Sequence, residues 1–138
     1  MATAQELFNR LLEQLKKSAK FGHAASLLAW DHKTYMPAGA ADGRAEMIAT
    51  VETECFKIFT SDTTGEIFES LSSPAADLNP SQKLLFERAG AMYRRQKKIP
   101  ADFFESFSLV KSKAQTVWVE AKHGSDFRMF QPYLEEIF

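Results

Sequence analysis

The 138-residue chain contains a single cysteine, Cys55, which excludes an internal disulfide framework and fits a reducing compartment. Long apolar runs are missing too: no stretch approaches the ~20 apolar residues of a membrane span. The N-terminus, MATAQELFNRLLEQLKK, intersperses acidic and amide residues where a secretory signal has an unbroken apolar stretch. A cytoplasmic location is therefore expected. Neither sign of charge is in excess, with 17 basic against 18 acidic residues and a net charge of -1, so neither nucleic acid nor an anionic membrane is implied as a partner. Recognisable catalytic sets are absent as well. There is no His-Glu-x-x-His helix, no serine, histidine and acid arrangement, no phosphate-cradling glycine loop and no paired carboxylate motif. No catalytic residue and no metal ligand is assigned within the chain.

What is present is the composition of an ordinary globular protein, 45% hydrophobic and 25% charged, at a size suited to one domain. Hydrophobic periodicity is helical nearly throughout, and no segment alternates in the manner of a strand, so the class is all-α, with about six helices. Thr3 and Glu6 form a capping box ahead of a face carrying Leu7, Leu11, Leu12, Leu15 and Ala19. Gly22 is expected to break or kink the chain before a second helix from about His23 to Tyr35. That helix is apolar almost all round in its first half, which predicts burial between neighbours.

Pro37 and Gly39 end it, and Asp42 caps a third helix with Ala45, Ile48, Ala49, Cys55, Phe56 and Phe59 inward and Glu46, Thr53 and Lys57 elsewhere. Cys55 is expected to be inert packing on an apolar face. Ser61 or Asp62 starts a short helix presenting Ile67, Phe68 and Leu71. Ser72–Leu78 reads as a loop, and Asn79-Pro80 with Gln82 as a capping box leading into a helix that ends near Lys98. After Ile99-Pro100, Phe103, Phe107, Val110, Ala114, Val117, Trp118 and Ala121 recur at three- and four-residue spacing, and Lys122-His123-Gly124 is the stop. Pro132 opens a last helix toward Phe138.

The segment Leu27–Glu46, LLAWDHKTYMPAGAADGRAE, carries the most chemistry, because an apolar helical run gives way at once to Asp31, His32, Thr34 and Tyr35. A carboxylate beside Trp30 is costly to bury unless something pairs with it. Asp31 and Tyr35, four apart, share one helix face and make a candidate polar spot. The plainer reading has Asp31 capping or pairing with another helix and Thr34 bonding the backbone at the helix end. His23, His32 and His123 are too dispersed for one face, and His32 is expected to be simply solvated. Arg94, Arg95, Lys97 and Lys98 complement the dipole of a helix C-terminus rather than bind phosphate. The last helix stops about two turns after Pro132 on an apolar residue, which suggests truncation. An unfinished core would leave some of the 12 phenylalanines in an exposed apolar patch.

AWDHKTYMPAGAADGRAEMIAT and, further on, SKAQTVWVEAKHGSDFRMFQPYLEEIF resemble two stretches, in the same order, of the carboxypeptidase Taq family of zinc metallocarboxypeptidases. Ala38 and Ala40 stand where that pattern commonly has a second proline and a second glycine, and Lys33 where an acid is common. The resemblance spans the whole chain but corresponds only to the N-terminal part of a member. It implies a larger, mostly helical fold, with residues 1–138 a single helical lid or groove-wall region. It further implies a zinc or similar divalent ion bound by a His-Glu-x-x-His helix outside this chain, and release of C-terminal amino acids from a peptide substrate.

On that reading the isolated chain is inactive and its partners are the peptide and the missing catalytic region. Trp30 anchors the second helix, while Asp31, Thr34 and Tyr35 sit at the groove or its hinge. Exposed rings predict a homodimer or exchange of a terminal helix. A self-contained helical interaction module is the alternative, and it predicts a monomer with a closed core.

Overall fold

The computed structural model describes residues 2–73 and 77–138, so the centre of the loop expected at Ser72–Leu78 lies outside the described residues. Among the described residues six α-helices follow in order: α1 (Ala4–Thr34), α2 (Ala41–Phe59), α3 (Asp62–Leu71), α4 (Pro80–Gln96), α5 (Ala101–His123) and α6 (Gln131–Ile137). Single 3₁₀ turns at Ala38–Ala40 and Phe127–Met129 precede α2 and α6. There is no strand among the described residues, and the fold is all-α. No helix is long and apolar enough to cross a membrane among the described residues.

The contacts divide the chain into two compact units. One comprises residues 1–21 and 54–100, the other residues 22–53 and 101–138. In the first, Phe8 and Leu11 of α1 pack with Ile67, Phe68 and Leu71 of α3, and with Leu78 and Ala89. Every helix start here is stapled by its own sequence. Thr3 N–H donates to Glu6 Oε2 at 2.7 Å and Glu6 N–H to Thr3 Oγ1 at 3.2 Å, completing the first capping box. Ser61 accepts from Thr64 N–H at the start of α3, and Asn79 and Gln82 exchange bonds of 2.9 and 3.0 Å ahead of α4. Lys97 ties the end of α4 to the start of α3, donating to Thr60 O and Asp62 Oδ1, both at 2.8 Å. That bond pulls Asp62 below the usual carboxylate range.

The second unit is built differently. Apart from Ile48 of α2, its buried residues are small: Ala25 from α1, Ala45, Ala49 and Thr53 from α2, and Ser108, Ser112, Ala114 and Ala121 from α5. Glu52 and Lys111 join α2 to α5 at 3.0 Å. Trp118 of α5 meets Phe130, ahead of α6, edge-on at 5.1 Å.

Several expectations fail for identifiable reasons. Gly22 does not break the chain, because one glycine costs only about 1 kcal/mol in a helix interior and good helix formers surround it. α1 therefore runs unbroken for 31 residues. Within it Ala19 is exposed and Ser18 is buried, its hydroxyl donating to Cys55 O at 3.0 Å. The apolar stretch before Trp30 is only partly covered: Ala25 is buried and Leu28 and Ala29 half-buried, while Leu27 is 69% exposed. α2 begins at Ala41 through the 3₁₀ turn, not at an Asp42 cap. Thr53 is buried by returning its hydroxyl to Ala49 O at 2.7 Å. Phe103, Phe107 and Trp118 lie outward on α5, whose inner edge is taken by serines and alanines that let helices approach closely.

Candidate functional site

The polar break at the end of α1 is organised by two consecutive side chains that leave the helix in different directions. Helical residues one apart are turned by about 100°, so neighbours meet different partners. Asp31 Oδ2 pairs with Arg44 Nη1 of α2 at 2.6 Å, the two side chains 33% and 20% exposed. His32 Nε2 lies 3.0 Å from Thr116 Oγ1 of α5. The end of α1 is thus pinned to α2 and α5 within its unit.

The helix stops in an orderly way. Thr34 Oγ1 donates to Trp30 O at 2.8 Å, and the amides of Tyr35 and Met36 both donate to Asp31 O, at 3.1 and 3.0 Å. Pro37, in extended conformation, then turns the chain into the Ala38–Ala40 turn. Of the expected site residues, Asp31 is paired with a neighbouring helix and Thr34 is bonded to the backbone. Trp30 and Tyr35 come together, ring centroids 5.6 Å apart, on an exposed face. More than half of Trp30 is in solvent.

His32 departs from the solvated histidine expected. Its Nδ1 is sealed off and has no hydrogen-bond partner among the described residues. Burial, then the nearby cations Arg44 and Lys33, push its pKa below the ordinary histidine value, and Asp31 opposes them without reversing the sign. Both effects favour the neutral imidazole. Beside it lies a cavity of about 480 Å³ with walls drawn from the end of α1, the 3₁₀ turn and the middle of α5.

Arg44 and Thr116 were invisible as site residues before the fold was known. Arg44 lies 13 positions from Asp31 with a turn between them, and Thr116 lies 84 positions from His32, so no local periodicity connects either pair. The described residues do not fit a metal: no three His, Cys, Asp or Glu side chains are grouped to hold one. What the arrangement can do is position and bind.

A family model described as carboxypeptidase Taq (M32) metallopeptidase matches residues 10–138. Carboxypeptidase 1 of Bacillus subtilis (strain 168) is 37% identical over 123 residues, 89% of this chain and 25% of that protein. Thermostable carboxypeptidase 1 of Thermus thermophilus is 27% identical over 138 residues, 99% of this chain and 27% of that protein. The BsuCP crystal structure superposes with a TM-score of 0.89 at 35% identity, covering 94% of this chain and 26% of that one. The structure of CHT does so with a TM-score of 0.68 at 27% identity, again over 94% and 26%. The chain spans about a quarter of the length of the curated relatives it matches.

Proposed function

Because the chain belongs to the carboxypeptidase Taq family of metallopeptidases, we propose that it is the N-terminal helical region of a zinc-dependent carboxypeptidase that releases C-terminal amino acids from peptides. The observation that carries this is a family match over residues 10–138 joined to a fold likeness of TM-score 0.89. On this reading the zinc is held by the remainder of the enzyme, and the isolated chain is inactive. Zinc in such enzymes polarises the scissile carbonyl and activates water.

The contribution of residues 1–138, as one lid or groove wall, is to exclude water and place the peptide. Trp30 and Tyr35 offer an exposed aromatic pair to the groove. Asp31, through Arg44, and Thr34, through the helix end, hold that pair at a fixed angle. The single cysteine supports a cytoplasmic setting, and the exposed rings support a homodimer.

The test uses the full-length natural polypeptide containing this chain. It should release free amino acids from the C-termini of unblocked peptides, lose that activity to a chelator and regain it with zinc. Alanine at Trp30, Asp31, Thr34 or Tyr35 should lower peptide turnover more than it lowers thermal stability. A full-length protein that binds zinc yet leaves such peptides intact would overturn the reading, and unchanged kinetics in all four variants would remove these residues from the groove.

A further inference from the structure

The cavity beside His32 has a chemistry of its own. At about 480 Å³ it falls within the ~300–1,000 Å³ of small-molecule sites. Met36, Trp118 and Val119 supply an apolar wall, and two side chains of opposite charge, Lys33 and Glu120, line the same space. Neither charge has a hydrogen-bond or ion-pair partner among the described residues. His32, the other titratable group lining the cavity, is engaged with Thr116, and burial together with Arg44 and Lys33 disfavours its charged form. The site therefore offers one cation, one anion and an apolar surface, with no net charge at neutral pH.

A ligand complementary to that set carries one carboxylate, one ammonium and a compact apolar group. We propose that this cavity binds a free apolar α-amino acid as its zwitterion, the carboxylate toward Lys33, the ammonium toward Glu120 and the side chain against Met36, Trp118 and Val119. An extended peptide would separate its two charges by up to about 3.3–3.6 Å more for every added residue, whereas an amino acid carries both on one carbon. The inference deepens the carboxypeptidase reading and rests on it in one respect: such an amino acid is what that reaction releases. The cavity would then hold an amino acid of the kind that reaction releases.

Equilibrium dialysis of the full-length polypeptide against labelled L-phenylalanine or L-leucine tests this. One saturable equivalent should bind, and N-acetyl-phenylalaninamide, with the same side chain and neither charge, should bind at least tenfold more weakly. Lys33→Ala and Glu120→Ala should each weaken binding about fivefold, as expected for an ion pair of about 1 kcal/mol near a surface. Val119→Trp, at a half-exposed lining position, should fill the cavity and abolish this equivalent. No saturable binding, equal binding of the uncharged analogue, or full binding in Val119→Trp would each overturn the proposal. Peptide turnover measured on the same preparations separates the two readings. Turnover without amino-acid binding sinks only the cavity, and cavity binding without turnover sinks only the carboxypeptidase.

Discussion

Asp31 and His32 show how much depends on one residue of offset along a helix. Asp31→Asn leaves the Arg44 guanidinium without its anion in a half-buried place, and should cost about 1 kcal/mol in chemical denaturation. Arg44→Gln in the same background should recover part of that loss, which a double-mutant cycle would register as coupling. His32 predicts a pH dependence whose sign follows from its depressed pKa. Between that value and the unfolded value of about 6.5, the unfolded chain binds more protons than the folded one, so stability rises with pH. It should be full above about pH 6.5 and decline as the pH falls through the folded value, where a proton on sealed Nδ1 finds no acceptor. His32→Gln should flatten that part of a melting-temperature profile, and an unchanged slope would show that another group titrates there. Neither partner was legible beforehand. The Asp31 carboxylate announced a need for pairing, since its cost beside Trp30 is general physics, but Arg44 and Thr116 answer that need only after helices distant in sequence are brought together.

At the scale of elements, caps were legible and faces only partly so. A capping box is a four-residue pattern that closes on itself, which is why Thr3 with Glu6 and Asn79 with Gln82 stand where their spacing places them. Asn79→Ala should cost about 1 kcal/mol, checked by urea denaturation. Faces depend on what arrives from elsewhere. In α5 the large residues carry the hydropathy signal, yet Ser108, Ser112, Ala114 and Ala121 are buried, because close approach of helices selects for small volume. Gly65 in α3 makes the same point in reverse. Helix propensity alone predicts that alanine there stabilises by about 0.5–1 kcal/mol. A Cβ at that position would collide with Tyr93 Oη, on a ring packed against Phe59 and Phe68 that has little room to move. Gly65→Ala should therefore destabilise by about 1–3 kcal/mol, the usual range for overpacking. Adding Tyr93→Phe should relieve most of it, and a stabilised single variant would refute the steric account.

For the molecule as a whole, the exposed apolar side chains are unevenly shared between the two units. Leu84, Leu85, Met92 and Ile99 belong to the first, whereas Leu27, Trp30, Phe103, Phe107, Trp118, Val119 and Phe127 are among those of the second. The Phe103 and Phe107 rings lie nearly parallel, 6.4 Å apart, both in solvent. Surfaces of this kind associate. Light scattering of the 138-residue chain at micromolar concentration should give a mass above 15.6 kDa, and Phe103→Glu with Phe107→Glu should lower it. The all-α class was legible from periodicity alone, because the pattern is helical nearly throughout and no segment alternates like a strand. The division into two units was not, since α1 and α2 each pass through both without a break in their pattern. Both tryptophans stand half in solvent, Trp30 on Tyr35 and Trp118 on Phe130. The folded chain should thus emit as hydrated indole, readily quenched by acrylamide. Tyr35 is close enough to pass excitation to Trp30, so the end of α1 carries its own optical gauge: loosening of that helix end would register as a fall in tyrosine-sensitised emission before any change in helicity.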